Sequence, residues 1–173
     1  MIVYQQAFDS YHTVYRMLRI LAYFDRAEYI EIERLRIWDF YLLYPNKMSN
    51  ISLKKTEEDV RKMIKTLIVK DNNPYESVLN DRIIFEKIKP YQMTAIKFLA
   101  SYGIINKDYL ELNKVFILSK ETVIEHLKGF NQLTIQEENA IKLLTSHFYL
   151  MPLHGENGLK SRTKLLESKY DAQ

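Results

Sequence analysis

Apolar residues recur along this chain at the three- and four-residue spacings of amphipathic helices, and one stretch alone reads as a strand. Tyr11, Val14, Tyr15, Leu18, Leu21 and Ala22 share one face of a helix that Asp9 or Ser10 can cap and that runs to about Asp25. A second helix spans roughly Ile30 to Leu43 and stops before Pro45, because proline disfavours helix at the residue before it. Asn46 to Lys55 reads as a loop. Thr56 and Asp59 then make a capping-box-like start to a third helix carrying Val60, Met63, Ile64, Leu67 and Ile68 on one side. Asp71-Asn72-Asn73-Pro74 ends it as a turn.

The spacing predicts a fourth helix over Tyr75 to Lys89, broken by Pro90, and a fifth from Tyr91 to Tyr102 with Gly103 just past its end. Tyr109 to Leu118 is the clearest strand, alternating in its first half and continuously apolar in its second. Ser119 opens a short helix to Lys128 that Gly129 closes, and Thr134 with Glu137 starts another carrying Ala140, Ile141, Leu144 and Phe148. Pro152 to Gly158 is a loop, and the last fifteen residues read as a frayed helix or disorder. The fold class is therefore mainly α with minor β. The order helix, Gly103, Ile104-Ile105, strand is that of a winged-helix-like helical domain. Along the chain this gives an N-terminal helical unit over 1–70, a winged-helix-like unit over 71–152 and a tail over 153–173.

Composition narrows the chemistry. Hydrophobic residues make up 47% of the 173, enough for a real core. The net charge of +3 is far from the excess of a dedicated nucleic-acid binder, so any DNA contact has to come from a local patch. The absence of cysteine removes disulfide and thiolate chemistry. No secretory signal and no apolar run of the ~18–20 residues that span a bilayer is visible, which points to a cytoplasmic protein without membrane contact. Thirteen tyrosines is a high count, and a phenol favours half-buried places and interfaces.

Motifs for catalysis are missing. His12, His126, His147 and His154 stand at no zinc-binding spacing, Gly155 and Gly158 form no phosphate cradle, and Glu86 with Lys89 is ordinary charge pairing on a helix. The expectation is a non-enzyme with no cofactor and no metal site. Trp38, the single tryptophan, fits a core position, and Asp39 beside it calls for a basic partner, Arg16 or Arg36.

Arg and Tyr are enriched where proteins meet partners, and both crowd the first two helices. Tyr11, Tyr15, Arg16, Arg19, Arg34, Arg36 and Tyr41 are therefore the candidate partner-binding residues. Lys54, Lys55, Arg61, Lys62 and Lys65 form a basic patch able in principle to hold phosphates, although Glu57, Glu58 and Asp59 in the same turn favour a solvated face.

The wording of these two helices carries a resemblance. The stretches Tyr11-His12-x-x-x-Arg16-x-Leu18-Arg19-Ile20-Leu21 and Arg34-Leu35-Arg36-Ile37-x-Asp39-Phe40-Tyr41-Leu42-Leu43-x-Pro45 resemble the opening of the middle components of bacterial ABC-three-component systems, the group that includes Lamassu-type anti-phage defence. The resemblance implies a non-catalytic accessory subunit that binds an SMC-like ATPase and scaffolds or restrains a nuclease effector. Double-stranded DNA would be reached through that complex. The alternative from the helix-and-strand pattern is a stand-alone winged-helix DNA-binding transcriptional regulator, which the lone basic residue of the fifth helix, Lys97, disfavours.

Overall fold

A computed structural model describes residues 5–70 and 80–166. The predicted turn at Asp71–Pro74, the predicted helix start at Tyr75 and the end of the tail lie outside them. The described chain is mainly α, with one two-stranded sheet. It groups into two compact units, each made of two separate segments: Met1–Asp39 with Lys87–Gln132, and Phe40–Glu86 with Leu133–Gln173. The contiguous division at 70/71 and 152/153 differs from this grouping. Helices α2 (Ile32–Leu43) and α4 (Asp81–Ser101) run unbroken through the crossings, so no linker composition marks them.

In the first unit, α1 (Ser10–Tyr23) begins where Asp9 accepts from the amides of Tyr11 (2.7 Å) and His12 (3.1 Å), satisfying two of the free donors of the first turn. Strand β1 (Ile30–Glu31) leads directly into α2 and pairs antiparallel with β2 (Lys114–Val115), Ile30 opposite Val115. A further antiparallel bridge joins Ile117 to Ile105. The expected strand over Tyr109–Leu118 is mostly something else. Asn106 caps a short helix, α5 (Lys107–Glu111), by accepting from the Asp108 amide at 2.9 Å, and Asn113 turns out of it at φ 57°. Both asparagines give the backbone local options that compete with a ladder, and only the part after Asn113 is left to pair. Ser119 caps α6 (Lys120–Leu127), and Gly129 follows at φ 87°, a left-handed turn that glycine takes without strain.

Pro90 does not separate two helices, as its sequence position suggests; α4 continues through it. Buried positions Ile84, Phe85, Ile88, Gln92, Ala95, Ile96 and Leu99 keep helical phase on both sides of it. Pro90 and Glu86, whose carbonyl loses its helical donor, both lie on the exposed side, where water can serve that carbonyl.

The polar centre of the first unit is Asp39, which is fully buried. Arg16 of α1 grips its carboxylate with Nε at 2.7 Å and Nη2 at 3.2 Å, and Gln92 of α4 donates to Oδ2 at 2.9 Å. The same Gln92 accepts from Arg36 Nε at 2.9 Å and donates to the Arg36 carbonyl at 3.0 Å. Three helices are thus keyed together by one carboxylate and one amide. Trp38 is a core residue at 0% exposure, as the sequence implies.

The second unit is organised by α3 (Glu58–Leu67), α7 (Ile135–Leu143), the turn at Pro45–Asn50 and the short helix α8 (Leu159–Thr163). Thr134 and Glu137 form the expected capping box of α7. The cap of α3 falls earlier than Thr56 and Asp59: Glu57 accepts from the Lys54 amide at 2.7 Å, and a 3-10 turn over Lys55–Glu57 precedes the helix. The segment after Pro152 is not frayed within the described residues, because Leu159, Lys160, Arg162 and Leu165 are all buried. Arg162 reaches Glu57 at 2.6 Å and the carbonyls of Ser52 and Asn157 at 3.3 and 2.6 Å.

Two stability predictions follow from these ion pairs. Asp39→Ala strands the Arg16 guanidinium, and denaturant unfolding is expected to show a loss of about 3–5 kcal/mol. Lys62→Ala, which removes an exposed pair with Glu58 at 3.2 Å, costs less than about 0.5 kcal/mol. Glu57 gives a pH dependence. Burial pushes its carboxyl up, but the hydrogen bonds and charges of Arg162 and Lys54 outweigh burial and hold it below the usual carboxylate range. Its stabilising contribution is therefore complete above the unfolded value of about 4.3 and is lost as pH falls through the lower folded value. Denaturation at a series of pH values should show a shallower acid dependence for Glu57→Gln.

Candidate functional site

The positions on α1 that do not face the Asp39 centre build a different feature. Ser10, Tyr11, Val14, Tyr15 and Leu18 form one wall of a cavity of about 380 Å³ in the first unit. Thr94, Ala95 and Phe98 of α4 with Tyr102 just past its end form another, and Ile104, His126 and Phe130 complete it. Its walls are almost wholly apolar, and several of its rings reach solvent: Tyr11, Phe98, Tyr102 and Phe130 are all exposed. Single exposed apolar residues are ordinary, but a cluster of four around one concavity is the kind of patch that binding surfaces present and makes this the candidate site.

Local contacts hold the walls in place. Phe98 and Tyr102, one helical turn apart, stack with ring centres 4.3 Å apart. Tyr11 and Tyr15 meet edge to face at 4.6 Å, and the Tyr15 hydroxyl donates to that of Tyr11 at 2.8 Å. Phe130 lies against Tyr15 at 3.8 Å. It is brought there by the Gly129 turn and by Arg19, which donates to the carbonyl of the next residue, Asn131. Lys120, at the start of α6, donates to the carbonyls of Leu21 (2.7 Å) and Phe24 at the end of α1. Burial lowers the pKa of Lys120, against the raising effect of Asp25. Burial and the hydrogen bond with Tyr11 push the Tyr15 phenol up to about 12, so Tyr15 stays uncharged through the neutral range.

Of the candidate partner-binding residues, the structure gathers Tyr11 and Tyr15 at this cavity, with Arg19 bracing its edge. The other four stand elsewhere. Arg16 is spent on Asp39, Arg36 on Gln92, and Arg34 donates to Glu31 at 2.7 Å with only 4% of its side chain exposed. Tyr41 is buried in the second unit, where burial and the nearby Asp81 charge raise its pKa. Arg34 and Arg36 are each 3% exposed and so offer little surface to a neighbouring protein in this structure. Phe98, Tyr102 and Phe130 were not singled out by the sequence reading. The four-residue spacing of Phe98 and Tyr102 was the available signal.

In the second unit, Lys54, Lys55, Lys62 and Lys65 are exposed, while Arg61 donates to the Leu53 carbonyl at 2.9 Å. Acidic neighbours share the patch, and Glu58 is bound to Lys62. Among the described residues no cluster of three or more histidine or carboxylate side chains could hold a metal, and no helix is long and apolar enough to cross a membrane.

An apolar, solvent-reaching cavity should take up a reporter dye in the folded state. The native protein is expected to enhance anilinonaphthalene sulfonate fluorescence without loss of near-ultraviolet dichroism, and Phe98→Glu is expected to remove most of that signal at unchanged dye concentration.

No curated protein and no solved structure matches this chain. A family profile, described as ABC-three component (ABC-3C) system Middle Component 5, matches residues 2–171. With nearly the whole chain covered, the protein belongs to the Middle Component 5 family of ABC-three-component systems.

Proposed function

We propose that the chain is a non-catalytic accessory subunit of a cytoplasmic bacterial anti-phage defence complex of the Lamassu kind. In this reading it binds an SMC-like ATPase and scaffolds or restrains a nuclease effector. The family match over residues 2–171 carries the proposal, since a middle component of a three-component system implies protein partners. The chemistry of the first unit supports it: what that unit offers to solvent is a wall of aromatic rings, the composition of an interface centre.

The order of elements in the first unit adds a structural argument. A helix, a short strand, a second helix, the α4 helix and then Ile105, bridged to Ile117, come in an order compatible with a winged-helix reading, in which α4 would take the place of the helix that reads DNA. In this unit α4 exposes Lys87 and Lys89 before Pro90, and Thr94, Lys97, Phe98 and Ser101 after it. The stretch after Pro90, which borders the cavity, sets a single cation beside an aromatic ring, and that suits a protein partner better than a phosphate backbone, which asks for several positive charges. The lysines of α3 and the turn before it, Lys54, Lys55, Lys62 and Lys65, remain the surface by which the assembled complex would touch duplex DNA, with Arg61 alongside them.

The deciding experiment is affinity purification of the tagged, full-length protein from its native host. An SMC-like ATPase recovered in fixed ratio is the expected result. Recovery of the protein alone, or with DNA and nothing else, would overturn the proposal and favour a stand-alone regulator.

A further inference from the structure

The shape of the cavity says more about its occupant than its composition does. On α1 its lining residues fall at positions 10, 11, 14, 15 and 18, and on α4 at 94, 95 and 98, continued by Tyr102, whose amide donates to the Phe98 carbonyl just past the helix end. The α1 set is one face of a helix over slightly more than two turns, about 12 Å at 1.5 Å per residue, and the α4 set with Tyr102 has a similar reach. Two helical walls of similar length bound a trough, and a third helix fills such a trough by setting its ridges of side chains between theirs.

A small molecule fits the site less well. Pockets for small ligands carry a few converging polar groups that fix orientation. Here the Tyr11 and Tyr15 hydroxyls are bonded to each other, and Nδ1 of His126 is engaged with the Thr122 carbonyl at 2.8 Å. The other hydroxyls of the lining belong to Ser10, Thr94 and Tyr102, and most of the surface offered for recognition is apolar.

Charge at the border gives the occupant's edge. None of the twelve lining residues is acidic. The two carboxylates adjacent in sequence to lining residues are already committed, Asp9 to the cap of α1 and Glu125 to Lys128 at 2.5 Å. Lys97 stands exposed beside Phe98, and His126 is also exposed. The border is therefore neutral to basic, and acidic side chains along the occupant would be favoured there.

We infer that the trough between α1 and α4 receives a short amphipathic helix from another component of the complex, with apolar side chains at i, i+3 or i+4, and i+7 and acidic residues beside them. This rests on the accessory-subunit reading and names the surface through which that role is exercised.

The test uses the full-length chain co-produced with the other two components of its own system. Phe98→Glu places a charge in the trough and Thr94→Arg fills it, while Leu112→Glu alters an exposed apolar residue outside it. Co-purification is expected to fall at least tenfold for the first two and to persist for the third. Amide exchange over residues 10–18 and 94–102 should slow in the complex, and a photoreactive residue at Tyr102 should join to a partner segment of the stated pattern. Thr94 is exposed, so Thr94→Arg decides the matter if Phe98→Glu fails to fold. A complex that forms with wild type and survives both trough variants overturns the inference and leaves the accessory role standing. Slowed exchange in the same segments on adding a short DNA duplex alone overturns it in favour of nucleic acid. Absence of any complex with wild type ends both.

Discussion

The first unit depends on how one buried carboxylate is neutralised. Asp39 has no exposure to water, so its charge must be matched inside the protein or folding bears a penalty of several kcal/mol. Arg16 supplies the match through two donors, and Gln92 supplies a third. A bidentate guanidinium–carboxylate contact tolerates little displacement, which fixes both the rotation of α1 about its axis and its position along α2. Successive residues of a helix are turned by about 100°, so Tyr11, Val14, Tyr15 and Leu18 each lie roughly 100° or more away from Arg16 around α1. The residues that line the trough point there because the ion pair has claimed the other side.

The same logic explains why the arginines divided as they did. Enrichment in Arg is a property shared by interfaces and by buried ion pairs, and the letters of the sequence do not separate the two. Arg16 and Arg36 are needed to satisfy Asp39 and Gln92, and Arg34 is drawn to Glu31. The tyrosines behaved differently. Tyr11 and Tyr15 bond to one another and line the cavity with their rings, and Tyr11 stays exposed to solvent.

Local chemistry was legible in the sequence. Asp9, Ser119 and Thr134 cap the helices they precede, Gly103 and Gly129 take the positive φ that a chain reversal requires, and Trp38 is core. What escaped were features decided at longer range. Pro90 reads as a break, yet the apolar stripe of α4 stays in phase through it and the lost hydrogen bond faces solvent. Tyr109 to Leu118 has the pattern of a strand, yet the caps at Asn106 and Asn113 spend its first half on a turn of helix. The candidate site was half legible: α1 gave its tyrosines, but the opposite wall sits some eighty residues away, and only the fold brings it alongside.

Helix α4 joins these two levels. Gln92 is buried and holds the Asp39 centre, whereas Phe98, six residues on, is exposed and faces the trough. Six residues is about 600°, or a turn and two-thirds, so the two side chains leave the helix on widely different sides. A rigid helix with one face locked has its other face set as well. The aromatic wall is therefore presented in a fixed orientation before any partner arrives, and the entropy of ordering it is already met by folding. A middle component that meets its partners through such a wall, as proposed, gains from that arrangement, because a preorganised surface loses less affinity on binding than one that must be assembled.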